Sequence, residues 1–165
     1  MHFLKLLLFL TVFSTQIWAQ NVRELMWSEL IPKDAKAPTL QLAPLHAFGD
    51  ESGPRAAQSY LDAPINKQLD GQKIKLPGYV VPLDLDDNYR VNEFLFVPYF
   101  GACIHVPPPP PNQIIYVKAE LGINIADMYE PFWIEGTLKV STVNSELAQA
   151  GYSLTADKIY RYQLD

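Results

Sequence analysis

Five consecutive prolines, Pro107, Pro108, Pro109, Pro110 and Pro111, restrict this chain more than any other feature. A proline has no backbone N–H and holds φ near −65°, so the run cannot lie inside a sheet. It predicts a polyproline II rod about 15 Å long. Apolar, strand-like runs flank it, "EFLFVPYF" before and "QIIYVKAE" after. A rod spliced between two strands must be an edge, a rim or a wall. Its ordinary reading is a rigid crossover between those strands; its functional reading is a preformed dock for an aromatic-lined groove.

The rest of the C-terminal part reads as β-structure. "QKIKLPGYVVPLD" follows the turn signal Asp70-Gly71 and alternates apolar with polar residues, and a polar turn at Asp84, Asp86, Asp87 and Asn88 joins it to "EFLFVPYF" as a hairpin. That turn alternates oxygen ligands, but the sixth place holds Tyr89 where a calcium loop needs glycine. Leu95 stands where the loop needs its closing glutamate, which excludes the helix-loop-helix calcium motif. A third strand is expected at "QIIYVKAE", a fourth at Phe132 to Val140, a short helix over "SELAQAGY" closed by Gly151, and a fifth strand at "DKIYRYQL". Five short strands, with Gly78 and Gly136 where strands bend, suit a mainly β fold with short helices. The expected architecture is a small five-stranded, partly open barrel like the oligonucleotide/oligosaccharide-binding (OB) barrel, over residues 70–165. A two-sheet β-sandwich is the alternative.

The N-terminus, with Lys5, the apolar run Leu6 to Val12 and small Ala19, has the form of a secretory signal peptide over residues 1–19. Its apolar run is shorter than the roughly 20 residues a bilayer span needs. The expected product is exported to the periplasm, with no stable membrane insertion after cleavage. Losing Lys5 leaves 12 basic residues against 18 acidic ones and no basic run, which argues against a nucleic-acid partner. Residues 20–69 read as an N-terminal helix and an extended connector: "NVRELMWSEL" has near-helical spacing with Asn21 as cap and Pro32 beyond its end. The connector, broken by Pro38, Pro44, Gly49, Gly53 and Pro54, has room for one short helix at Ala56 to Leu61.

Cys103 is the only cysteine, so no intrachain disulfide forms even where disulfides are permitted. Cys103 and His105 are two residues apart, and in an extended segment their side chains share a face. Thiolate and imidazole suit zinc or copper, but a complete site needs further ligands from His46, carboxylates or another chain. The same pair could act as nucleophile and base, with Asn112 orienting the imidazole, although the intervening prolines make that contact awkward. The plainer reading packs Cys103 in the core and hydrogen-bonds His105 to a turn.

"WSELIP", "LPGYVVPLD", "EFLFVPYFGACIHVPPPPPNQIIYV" and "FWIEGTLKV" together resemble the exported bacterial domain-of-unknown-function 3299 family (DUF3299) across most of the chain. The resemblance carries over to Gly101, Cys103, His105, the five prolines, Asn112 and Gln113. It implies an association with metal-linked exported proteins and envelope transporters of the lipoprotein-release and macrolide-efflux class. The reading is therefore a periplasmic, non-enzymatic accessory or binding protein, holding zinc at Cys103 and His105 or assisting a metal-linked envelope transporter. One alternative is a pure interaction module that docks an envelope transporter or periplasmic protein through the proline wall, Asn112, Gln113, Tyr99, Phe100 and Trp133. The other is a thiol-dependent enzyme.

Overall fold

The computed structural model describes residues 21–35, 57–102 and 107–163. Its strands are β1 (Arg23–Glu24), β2 (Lys73–Pro82), β3 (Arg90–Val97), β4 (Ile115–Asn124), β5 (Phe132–Asn144) and β6 (Gln149–Arg161). They form one six-stranded sheet in the order β1-β2-β3-β4-β6-β5, and a further β2–β5 pairing bends five of them into a ring. Ring neighbours are antiparallel except β4 and β6, which run parallel. The β4–β6 ladder covers only Ile115 to Lys118 against Tyr152 to Thr155, so the ring is partly open there. This is the OB-like barrel expected for the fold class.

Period-two alternation builds the interior. On β2, Ile74, Leu76 and Val80 are buried, and they meet Phe94 and Phe96 of β3, Val117 of β4, Ile134 and Leu138 of β5, and Tyr152 and Leu154 of β6. Each such side chain contributes roughly 1.5–3 kcal/mol by leaving water. β3 departs from alternation because both its faces are covered: Leu95 and Val97 point outward into a second cluster with Val81, Ala102, Ile114, Ala148 and Ala150. The glycines sit where the ladder changes. β2 pairs with β5 as far as Gly78 and with β3 from Tyr79 onward, and β5 shifts register against β6 at Gly136.

Two expected helices are replaced. The Asn21 to Leu30 segment is a two-residue strand followed by a single 3₁₀ turn, Trp27–Leu30. β1 lies parallel to β2, and the Leu25 N–H donates to the Lys75 carbonyl at 2.9 Å, so the sheet edge takes the backbone bonds a helix would have used. The helical stripe is also broken, because Leu25 and Leu30 are buried while Met26 is 67% exposed. "SELAQAGY" is a hairpin turn and the start of β6, which begins eight residues before the expected fifth strand. Ser145 Oγ accepts from the Leu147 and Ala148 N–H groups at 3.3 and 3.1 Å and closes the turn. Ala56 lies outside the described residues, and Ala57 to Leu61 do not form the expected helix. The signal-peptide segment, most of the connector and His46 are also outside the described residues.

The acidic turn between β2 and β3 organises backbone. Asp86 Oδ1 accepts from the Asn88 and Arg90 N–H groups at 2.8 and 2.9 Å, and Asp84 Oδ1 accepts from the Asn92 and Glu93 N–H groups at 3.1 and 2.8 Å. The Arg90 backbone bond is the main cause that holds the Asp86 carboxyl below its ordinary range. Its stabilising contribution is present above the unfolded carboxylate pKa and is lost as pH falls through the lowered folded value. Asp86→Ala is expected to lower the melting temperature at pH 7, and the difference from the parent should shrink in acid scans. A difference that stays constant down to pH 2 would refute this account of the turn.

Candidate functional site

The proline segment is a wall bonded to its own fold. Pro108, Pro109 and Pro111 are buried, Pro110 is half-buried and Pro107 is exposed. Pro110 has polyproline II geometry, φ −57° and ψ 155°, before Pro111–Gln113 turn in a 3₁₀ helix toward β4. The prolines lack donors but retain carbonyls, and those carbonyls accept. Gln58 Nε2 donates to the Pro109 carbonyl at 2.8 Å and to the Gln149 carbonyl at 2.9 Å, while Gln58 Oε1 accepts from the Gln149 N–H at 2.8 Å. One side chain thus ties the connector, the wall and β6 together.

Asn112 and Gln113 extend this stitching. Asn112 is 5% exposed, the buried polar residue among the described ones, and its Nδ2 donates to the Pro64 carbonyl at 2.9 Å. Gln113 Nε2 donates to the Trp27 carbonyl at 3.0 Å and the Asn112 carbonyl at 2.9 Å. Trp27 Nε1 donates in turn to the Pro77 carbonyl at 2.6 Å, and its ring packs 5.8 Å from Phe96. The "WSELIP" and "PPPPPNQ" strings are therefore two halves of one clamp around the barrel end. Spacing could not show this, because Trp27 and Gln113 are 86 residues apart.

The aromatic candidates Tyr99, Phe100 and Trp133 lie in two separate places. Tyr99 and Phe100 follow β3 and are 43% and 53% exposed. The Phe100 ring lies 5.9 Å from Tyr79 of β2 and 6.1 Å from Tyr129 in the β4–β5 connection, and Tyr129 is 68% exposed. Three rings thus form a continuous row beside the Gly101-Ala102 approach to Cys103. Tyr79 and Tyr129 were missed in the sequence reading, since only the ring geometry joins them to Phe100. Trp133 belongs elsewhere: it lies on β5, 5.2 Å from Tyr162, with Lys75 Nζ 4.0 Å above its ring. That Lys75–Trp133 contact is a cation–π pair on the barrel's outer face.

Cys103 and His105 lie outside the described residues, as does His46. Among the described residues no group of three or more His, Cys, Asp or Glu side chains is placed to hold a metal. Glu93 accepts from the Tyr116 hydroxyl and, at 2.8 Å, from Lys118 Nζ. The Lys118 bond, then the Tyr116 bond, hold the Glu93 carboxyl below its usual range, while burial and Glu93 push the Tyr116 phenol up. Glu93 and Lys118 face each other across β3 and β4, so this is a cross-strand ion pair of the kind that supports a sheet.

A small OB-like barrel, clamped at one end by its own N-terminal segment and a proline wall, is the class of protein these elements define. The chain belongs to the DUF3299 family, described as a protein of unknown function, whose model matches residues 27–161. It is similar to a DUF3299 family protein of Pseudomonas aeruginosa PAO1 known from a crystal structure. The two share 50% sequence identity over 88% of this chain and 99% of that one, with a TM-score of 0.75. No curated protein matches the chain. The match begins at Trp27, where the clamp begins, so the clamp falls within the family's extent.

Proposed function

We propose that the protein is a non-enzymatic accessory module of the cell envelope that docks a protein partner through its aromatic row, with the prolines serving as scaffold. The observation that carries this reading is the Tyr79–Phe100–Tyr129 row, with Phe100 and Tyr129 more than half exposed. Large rings of this kind supply contact area at low entropic cost and are enriched in interface cores. The buried prolines have little free surface for an aromatic groove, which moves the docking surface from the rod to the rings. Export supports an envelope partner, and zinc ligation by Cys103 and His105 is the form of this reading in which the partner is metal-linked.

The test places a photo-crosslinking residue at Phe100 in the exported protein, with exposed Lys139 as the control position. A discrete adduct is expected at position 100, absent at 139 and at least about tenfold weaker when Tyr129→Ser is added. Identical patterns at the two positions would overturn the reading. Zinc titration of the purified protein with and without Cys103→Ala then separates the forms: binding lost in the variant supports a metal-linked partner, and unchanged binding removes zinc from Cys103.

A further inference from the structure

A second surface, lined by none of the aromatic-row residues, has the chemistry of a small-molecule site. A cleft of about 360 Å³ opens between the connector and the proline wall, with an apolar lining from Ile31, Ala63, Pro64 and Pro110. That is within the size range of small-ligand sites, which are mostly apolar with a few placed polar groups. Tyr60, which also lines the cleft, is held at φ +55°. A bulky residue in the left-handed region costs about 1–3 kcal/mol, and such strain concentrates at functional sites.

Several of the donors around this cleft are already used within the fold. Pro64 and Pro110 have no N–H, and the N–H groups of Ile31, Ala63 and Gln113 are already donated to the Ser28, Tyr60 and Pro110 carbonyls. Gln113 Nε2 is committed to Trp27 and Asn112, and Asn112 Nδ2 gives one of its two N–H groups to Pro64. Among the acceptors, the Asn112 and Gln113 amide oxygens have no hydrogen bond to any described residue, and the Asp62 carboxylate stands in the lining. An apolar cleft offering acceptors and one negative charge favours a ligand with an apolar body and a cluster of donors. An ammonium group provides three donors and no acceptor.

We propose that this cleft binds a small organic ammonium ion, its hydrocarbon or aromatic body against Pro64, Pro110 and Ile31 and its charged nitrogen toward Asp62 and the amide oxygens. A carboxylate or phosphate ligand is disfavoured, because its charge would face the Asp62 carboxylate and the amide oxygens. The volume suits a free amine, and the occupant is accordingly a small molecule, with a peptide lysine as the competing source of the same group.

The experiment is calorimetric and ligand-observed NMR titration of the full chain with phenethylamine, against phenethyl alcohol and hydrocinnamate as neutral and anionic isosteres. A blocked lysine tripeptide serves as the peptide arm. The amine should bind at least about tenfold more tightly than either isostere, the size expected for hydrogen bonds to charged groups. Asp62→Asn should remove most of that preference, and Ala63→Leu should weaken all binding by filling the cleft, while Glu146→Gln changes neither. Asp62 is exposed and has no hydrogen bond or ion pair to a described residue, so unaltered melting of its variant keeps the comparison clean. Equal binding of amine and alcohol, no amine binding at millimolar concentration, or indifference to both cleft variants would each overturn the proposal. Binding of the tripeptide alone would overturn the small-molecule occupant.

Discussion

Gly151→Val is expected to cost about 3 kcal/mol or more, visible as a lower urea midpoint with the slope retained. Strand propensity alone argues the opposite sign, since glycine weakens a strand and valine favours one. Contact geometry decides against propensity. A Cβ at position 151 would stand 2.4 Å from Ile65 Cδ1, 2.8 Å from the Pro111 carbonyl oxygen and 3.1 Å from the Pro111 carbonyl carbon. Ile65 can rotate, but Pro111 is backbone within a run of fixed φ, so the wall must leave β6 as a unit. Gln58 would then lose one of its two carbonyl partners, because Pro109 and Gln149 could no longer both reach its amide. Gly71→Ala is the control: nothing lies within 4 Å of its Cβ, and only its φ of +74° opposes the change, at about 1 kcal/mol. A Gly151→Val midpoint equal to or above that of the parent would mean that the proline wall is not seated on β6.

The barrel was legible in the sequence because its strands are half-buried and alternate. Ile74, Leu76 and Val80 mark β2 at period two, and Asp70-Gly71 and the Asp84–Asn88 turn bracket it. Where tertiary contact overrode local pattern, the reading failed. Leu25, Met26 and Leu30 fit a helical stripe, yet β2 supplied backbone partners that a helix would have forfeited. In "SELAQAGY" the alternation of Ala148, Ala150 and Tyr152 is the strand signal, hidden because alanine is also the best helix former. Gly151 then resembles a helix stop, when its actual role is to let Pro111 approach.

The proline motif was recognised as a wall from φ and missing donors alone. Its partners were not, because Gln58, Pro64 and Trp27 are brought to it only by the ring closing. Asn112 and Gln113 entered as binding residues through the family resemblance. Their nitrogens turn out to hold the clamp together, and their oxygens are what the cleft has to offer.

The clamp has one further anchor whose removal should leave a signature in pH as well as in stability. Tyr152 is fully buried, and its hydroxyl donates to the Leu30 carbonyl at 2.6 Å and accepts from the Asn66 N–H at 2.8 Å. Tyr152→Phe keeps the ring and removes that bridge. The Asn66 N–H also lies 3.3 Å from the Leu30 carbonyl, so the two groups left behind partly satisfy each other. The expected cost is therefore about 1–2 kcal/mol at neutral pH, below the penalty for two wholly orphaned groups. Burial pushes the Tyr152 phenol up to about 12, against an ordinary value near 10, and the Asn66 bond offsets this only in part. The folded pKa is the higher one, so the unfolded chain ionises first. Stability held by the neutral phenol is intact below about pH 10 and is drained as pH rises toward 12. Phenylalanine cannot ionise, and Tyr116 and Tyr160 are present in both proteins, so their alkaline losses cancel in the comparison. The gap between parent and variant should accordingly narrow between pH 10 and 12 in urea titrations. A gap that stays constant across that window would show that the Tyr152 hydroxyl is solvated, and that the N-terminal segment is not locked to β6 through it.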